Sequence, residues 1–91
     1  MKVGVIHQIS DPEAAQSNGR TLFEPHEGVK LMQFVPSADF SMATCIWESD
    51  SIDTVRELVD EALGDTSTQT YFEVATDQAL GMPETAAAAT T

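Results

Sequence analysis

Residues 45–64, CIWESDSIDTVRELVDEALG, pass from an apolar run into a helix pattern with only a few polar residues between them. This junction constrains the fold more than any other stretch. Ile52, Val55, Val59, Ala62 and Leu63 fall on one stripe at helical spacing, with Leu58 at its edge. Asp53, Arg56, Glu57, Asp60 and Glu61 lie mostly on the other side. A helix patterned this way buries one face only, so it has to lie on another layer. Asp50 or Ser51 is placed to cap its start, and Gly64 to end it. A strand that feeds a helix so abruptly reads as a right-handed crossover returning to the same sheet.

The remaining elements supply that sheet. Residues 2–9, KVGVIHQI, read as a first strand. SDPEAAQ opens a short helix, with Ser10 or Asp11 as cap and Pro12 in the first turn, and Asn18-Gly19 stops it early. RTLFEPHEG is irregular, broken by Pro25 and Gly28. VKLMQFVP (29–36) and FSMATCIWE (40–48) form a hairpin across the turn residues 37–39, and QTYFEVATD (69–77) is the last strand. The order β-α-β-β-α-β predicts an α+β, ferredoxin-like domain over residues 1–80, with a four-stranded antiparallel sheet and both helices on one face. GMPETAAAATT (81–91) has no large apolar anchor beyond Met82 and reads as a flexible tail.

A sheet covered on one side should alternate apolar and polar residues, and these strands do so poorly. Val3, Val5 and Ile9 oppose Ile6; Val29, Leu31 and Val35 oppose Met32 and Phe34; Phe40, Met42 and Ile46 oppose Ala43, Cys45 and Trp47; Phe72 and Val74 oppose Tyr71 and Ala75. Two helices cover one face, and the other is too apolar for water. The pattern therefore predicts a homodimer whose sheets pack together to close a barrel.

Charge narrows the partners. Fifteen acids against four bases, Lys2, Arg20, Lys30 and Arg56, give a net charge of −11. That field repels phosphate backbones and anionic lipid surfaces, so neither nucleic acid nor a membrane is an expected partner. Acidity of this degree fits ordinary solubility or a high-salt, halophilic habitat. No apolar run is long enough to span a bilayer. The first ten residues break their apolar run at His7, too soon for a secretory signal, and there is a single cysteine. A reducing cytoplasm is the compartment expected from these features.

Chemistry-bearing residues are few. His7 on the first strand is either a satisfied core-edge histidine or a ligand or proton-transfer group at a barrel mouth. His26, flanked by acids in EPHEG, is either a solvated loop residue or the second ligand of a metal site completed by Glu24, Glu27 or Glu73. Such a site would suit nickel or zinc. Glu73, between Phe72 and Val74, is either an edge carboxylate or projects into the barrel with a raised pKa, as a general base or metal ligand. Trp47 and Tyr71 read as core or interface aromatics, and Cys45 as a small buried hydrophobe. No G-x-S-x-G, Cys-His context or glycine-rich phosphate loop points to nucleophilic catalysis or nucleotide binding.

The hairpin LMQFVPSADFSMATCIWESDS, the helix IDTVRELVDEALG and the last strand TYFEVATDQALG resemble the small dimeric α+β barrel proteins. That superfamily includes stress-responsive barrels, cofactor-independent antibiotic-biosynthesis-type monooxygenases, muconolactone-isomerase-like enzymes and a nickel-binding ferredoxin-like group. The likeness covers residues 29–81 well and the first third poorly, where the first helix is shorter than in such relatives. It implies a dimeric protein binding a divalent metal or a small ligand; the residues themselves offer His7, His26 and a carboxylate such as Glu73 as the metal set. The enzymatic alternative is a monooxygenase or isomerase with an apolar substrate against Phe34, Trp47 and Tyr71, and His7 or Glu73 moving a proton. A structural or interaction module is the third class.

Overall fold

The structure, a computed structural model, describes residues 1–84. Four strands, β1 (Lys2–Ile9), β2 (Val29–Pro36), β3 (Met42–Ser49) and β4 (Ser67–Glu73), form one sheet in the order β2-β3-β1-β4. Helix α1 (Pro12–Asn18) follows β1 and continues as a 3₁₀ segment, Gly19–Phe23; helix α2 (Ile52–Leu63) connects β3 to β4. β1 pairs antiparallel with β3 and β4, placing Val5 between Cys45 and Tyr71, and β2 pairs antiparallel with β3. This is the ferredoxin-like α+β fold. The flexible tail expected over 81–91 lies, from residue 85 on, outside the described residues.

Local chemistry sets the helix ends. The Asp11 carboxylate accepts the Ala14 N–H at 3.1 Å and starts α1, with Pro12 in its first turn. Of the two candidate caps for α2, Ser51 is the one used: its Oγ accepts the Thr54 N–H at 3.1 Å. Gly64 ends α2 at φ 56°, a left-handed backbone that a glycine adopts without steric cost.

Val3, Val5, Cys45, Trp47 and Val29 on the sheet meet Val55, Val59 and Leu63 of α2 and Leu22 of the 3₁₀ segment in one core. Burial of this kind is the main favourable contribution to folding, at about 1.5–3 kcal/mol for a large aliphatic side chain.

Three readings of the strands need correction. β2 carries a bulge between Leu31 and Gln33, so Phe34 joins Val29 and Leu31 on the helix face and Val35 moves to the open one. β3 begins at Met42 because Phe40 sits in the connecting turn with φ 61°. β4 covers 67–73 and not 69–77, because β1 offers no partner beyond Lys2, whose carbonyl accepts the Val74 N–H at 2.9 Å.

Candidate functional site

A cavity of about 270 Å³ lies between the helix face of the sheet and the α1–3₁₀ segment. Its floor is strand: His7 and Ile9 of β1, Ala43 and Cys45 of β3. Leu31, Phe34 and Phe40 close one side, and Ala15, Gln16, Arg20, Leu22 and Phe23 face them from the segment after β1. The space follows from side-chain size. Ala15, Gly19 and Ala43 fill little of it, and the seven-residue α1 is too short to cover the sheet fully.

The aromatic wall is built deliberately. Phe23 meets Phe34 edge-on, centroids 5.2 Å apart, and Phe34 meets Phe40 at 6.1 Å. Phe40 reaches the cavity from a left-handed backbone that costs a bulky residue about 1–2 kcal/mol. The β2–β3 turn holds it there. The Asp39 carboxylate accepts the Ser37 hydroxyl at 2.9 Å, the Ser41 hydroxyl at 2.8 Å and the Ser41 N–H at 3.0 Å. These bonds, the Ser41 backbone N–H first, bring its pKa down to about 2.

His7 is the polar group on the floor, 3% exposed. Its Nδ1 lies 3.4 Å from the Gln69 Oε1 and its Nε2 lies 3.1 Å from the Cys45 Sγ. Gln69 is oriented from its far side, where its amide N–H donates to Asp60 Oδ1 at 3.1 Å. Its oxygen therefore faces His7, and also accepts the Ser67 hydroxyl. An amide oxygen only accepts, so Nδ1 carries the imidazole proton. Nε2 then presents a lone pair and accepts the Cys45 S–H. Asp60 in turn is held by the Tyr71 hydroxyl at 2.6 Å, and the Arg56 guanidinium lies 5.2 Å from the centre of the Tyr71 ring.

Both members of the Cys45–His7 pair are neutral. Burial pushes the Cys45 thiol up to about 12, and burial also lowers the His7 pKa, against the Gln69 hydrogen bond and the Asp60 charge, which raise it. A thiol so placed is no nucleophile at neutral pH. A neutral imidazole with a fixed tautomer is a competent proton acceptor.

This burial has a measurable consequence. The unfolded chain protonates His7 as the pH falls below its ordinary value of 6.5, whereas the folded chain does so only at lower pH. In that window the unfolded state binds more protons, so stability falls on acidification below 6.5 and is independent of this group above it. The lowered carboxyls of Asp39 and Glu48 lose their contributions only at more acidic pH. The urea midpoint of the wild-type chain should therefore drop more between pH 6.5 and about pH 5 than that of His7→Gln; equal drops would contradict the buried neutral state.

The predicted site residues separate. Phe34 lines the cavity, but Trp47 is buried in the core and Tyr71 is turned to Asp60 of α2. The metal set His7, His26 and Glu73 does not converge within one chain. Glu73 is an exposed edge carboxylate opposite Val3, four residues along β1 from His7, roughly 13 Å at strand spacing. His26 donates its Nε2–H to the Thr21 carbonyl, 2.7 Å away, and bridges Val29, the partner of Ser49. Ser49 is six residues along β3 from Ala43, which pairs with His7, roughly 20 Å. Among the described residues no three His, Cys, Asp or Glu side chains are grouped to hold a metal ion. The Cys45–His7 contact and Arg20 are what sequence reasoning missed. Cys45 is the diagonal neighbour of His7 across β1 and β3, which only the strand register reveals.

Fold and site together define a ferredoxin-like domain with a small, partly open pocket on its helix-covered side. No family model matches the chain, and no curated protein matches it. Among solved structures the chain is similar to a protein of Bordetella bronchiseptica described as a candidate antibiotic biosynthesis monooxygenase. The identity is 18%, the match covers 81% of this chain and 97% of that one, and the TM-score is 0.39. The fold is defined by the strand order itself. No described helix is long and apolar enough to cross a membrane.

Proposed function

We propose that this chain is a homodimeric binding protein for a small, mostly apolar organic molecule, held between the sheet and the α1 segment. The observation that supports this reading best is the cavity, walled by Phe23, Phe34 and Phe40 and floored by His7. At about 270 Å³ it falls just below the range typical of small-molecule sites, on the order of 300–1,000 Å³. A few polar groups among apolar walls, here His7, Gln16 and Arg20, orient a ligand without a large desolvation cost.

Proton transfer on the bound molecule is the second reading, and one observation favours it. The His7 imidazole is neutral and lines the cavity, its tautomer is fixed through Gln69 and Asp60, and its Nε2 lone pair is engaged only by the weak Cys45 S–H donor. A nickel or zinc ion held by His7, His26 and Glu73 has no support from this geometry, because the three stand apart along the strands and His7 is buried on the face away from the proposed partner.

Filling the floor tests the site. Ala43→Phe places a ring in the cavity, whereas Thr44→Phe places one on the opposite face of the same strand. Calorimetry with naphthylmethanol should show at least about ten-fold weaker binding to Ala43→Phe and unchanged binding to Thr44→Phe. Equal affinity for all three proteins would contradict the reading.

The second protomer is proposed for the open face. Ile6, Val35, Met42 and Phe72 are 36–51% exposed there, beside the half-buried Ile46. In a chain of net charge −11 this face carries one acid, Glu48, and that is paired with Lys2 at 2.9 Å and the N-terminal amine at 3.1 Å. A second copy meets least repulsion here.

A further inference from the structure

We propose that the molecule bound in the helix-side cavity carries a carboxylate on its apolar body, and that Arg20 at the rim pairs with it. This rests on the small-molecule reading above and adds the ligand's charge.

Three observations point the same way. The chain has fifteen acids, yet none of them lines the cavity. His7 and Cys45 are both held neutral by burial, so Arg20 is the one charged residue lining it. Nothing there would attract a cation. Among the four bases, Lys2 is paired with Glu48 at 2.9 Å, and Arg56 with Asp53 at 2.6 Å. Arg20 makes no ion pair among the described residues and is exposed, although acids outnumber bases almost four to one. Lys30, the other base without an ion pair among those residues, stands on the open face of β2, opposite Glu48.

The chemistry selects the ligand class. A guanidinium offers a planar fork of N–H donors matched to a carboxylate, and such charge-assisted bonds are roughly twice as strong as neutral ones. The rest of the protein repels anions over long range, so the attraction has to come from close contact at Arg20. The aromatic and aliphatic walls then take a body without further charge. An aromatic or short aliphatic carboxylic acid fits this arrangement, and a cationic or polyhydroxylated molecule does not.

Calorimetry with naphthoate and with its neutral counterpart naphthylmethanol tests this on the wild-type chain, Arg20→Gln and Lys30→Gln. Arg20 is exposed, so its replacement leaves the core intact. The wild-type chain should prefer naphthoate by about ten-fold or more. Arg20→Gln should lose that preference, its naphthoate affinity falling to that for naphthylmethanol, and Lys30→Gln should keep the preference. Equal binding of both probes by the wild-type chain, a preference that survives in Arg20→Gln, or one that is lost equally in Lys30→Gln would overturn the carboxylate assignment and leave the cavity standing. Binding of neither probe would overturn the cavity reading itself, and the carboxylate with it.

Discussion

Trp47→Ala is expected to lower the free energy of unfolding by about 3–5 kcal/mol, the usual cost of truncating a buried aromatic. Trp47 is 1% exposed and stands at the middle of the sheet, opposite Val3 on one side and Leu31 on the other. Its ring packs in the same cluster as Val55 and Val59 of α2, so its removal opens a cavity where the two layers meet. A domain of 91 residues has a total stability on the order of 5–13 kcal/mol, so this one change consumes much of it. The indole N–H has no protein hydrogen-bond partner among the described residues, and an unmet buried donor costs about 1–3 kcal/mol. Trp47→Phe therefore loses packing area but removes that donor, and should cost less than half as much as Trp47→Ala. Urea unfolding followed by circular dichroism measures both. A Trp47→Ala loss below about 1 kcal/mol would show that the two layers do not meet at this ring.

Phe72→Asp is expected to break the dimer proposed for the open face. Phe72 lies on the open face with its ring over Gly4, occupying the place where a side chain on β1 would otherwise stand. It thereby carries the apolar surface across β1 toward Ile6 and Ile46. In a two-fold assembly the substitution introduces a carboxylate from each protomer into an apolar contact. Unpaired buried charges of this kind cost several kcal/mol, so the dissociation constant should rise by about 100-fold or more. Added salt should tighten the wild-type dimer, because it screens the repulsion between two chains of charge −11. Sedimentation equilibrium reads both effects. A wild-type chain that is monomeric throughout, or a Phe72→Asp chain that associates as tightly as wild type, would contradict an interface on this face.

The fold was largely legible in the sequence because its strongest signals are local. The α2 stripe, the Ser51 and Gly64 boundaries and the β-branched first strand depend on residues close together in the chain. The errors lie where a distant partner decides. Val74 and Ala75 look like strand, yet β4 stops at Glu73 because β1 has run out beside it. Phe34 changed face because a bulge at Leu31–Gln33 reset the alternation of β2.

The site was harder to read for the same reason. His7 stood out as a histidine among apolar residues, but its meeting with Cys45 depends on the register that sets Val5 against Cys45. Phe40 looked like the start of a strand, and only the Asp39 hydrogen bonds show why it turns toward the cavity. Arg20 carries no signal of its own. Its significance comes from the pairing of Lys2 and Arg56 elsewhere and from the lack of carboxylates along the cavity wall.

The most direct measurement is the set of intermolecular nuclear Overhauser contacts between saturating naphthylmethanol and the methyl groups of the protein. Leu22, Leu31 and Leu63 line the helix-side cavity, whereas Ile6, Val35 and Met42 lie exposed on the open sheet face. The account predicts contacts to the three leucines and none to the open-face methyls. Contacts confined to Ile6, Val35 and Met42 would place the binding surface on the other side of the sheet and contradict it.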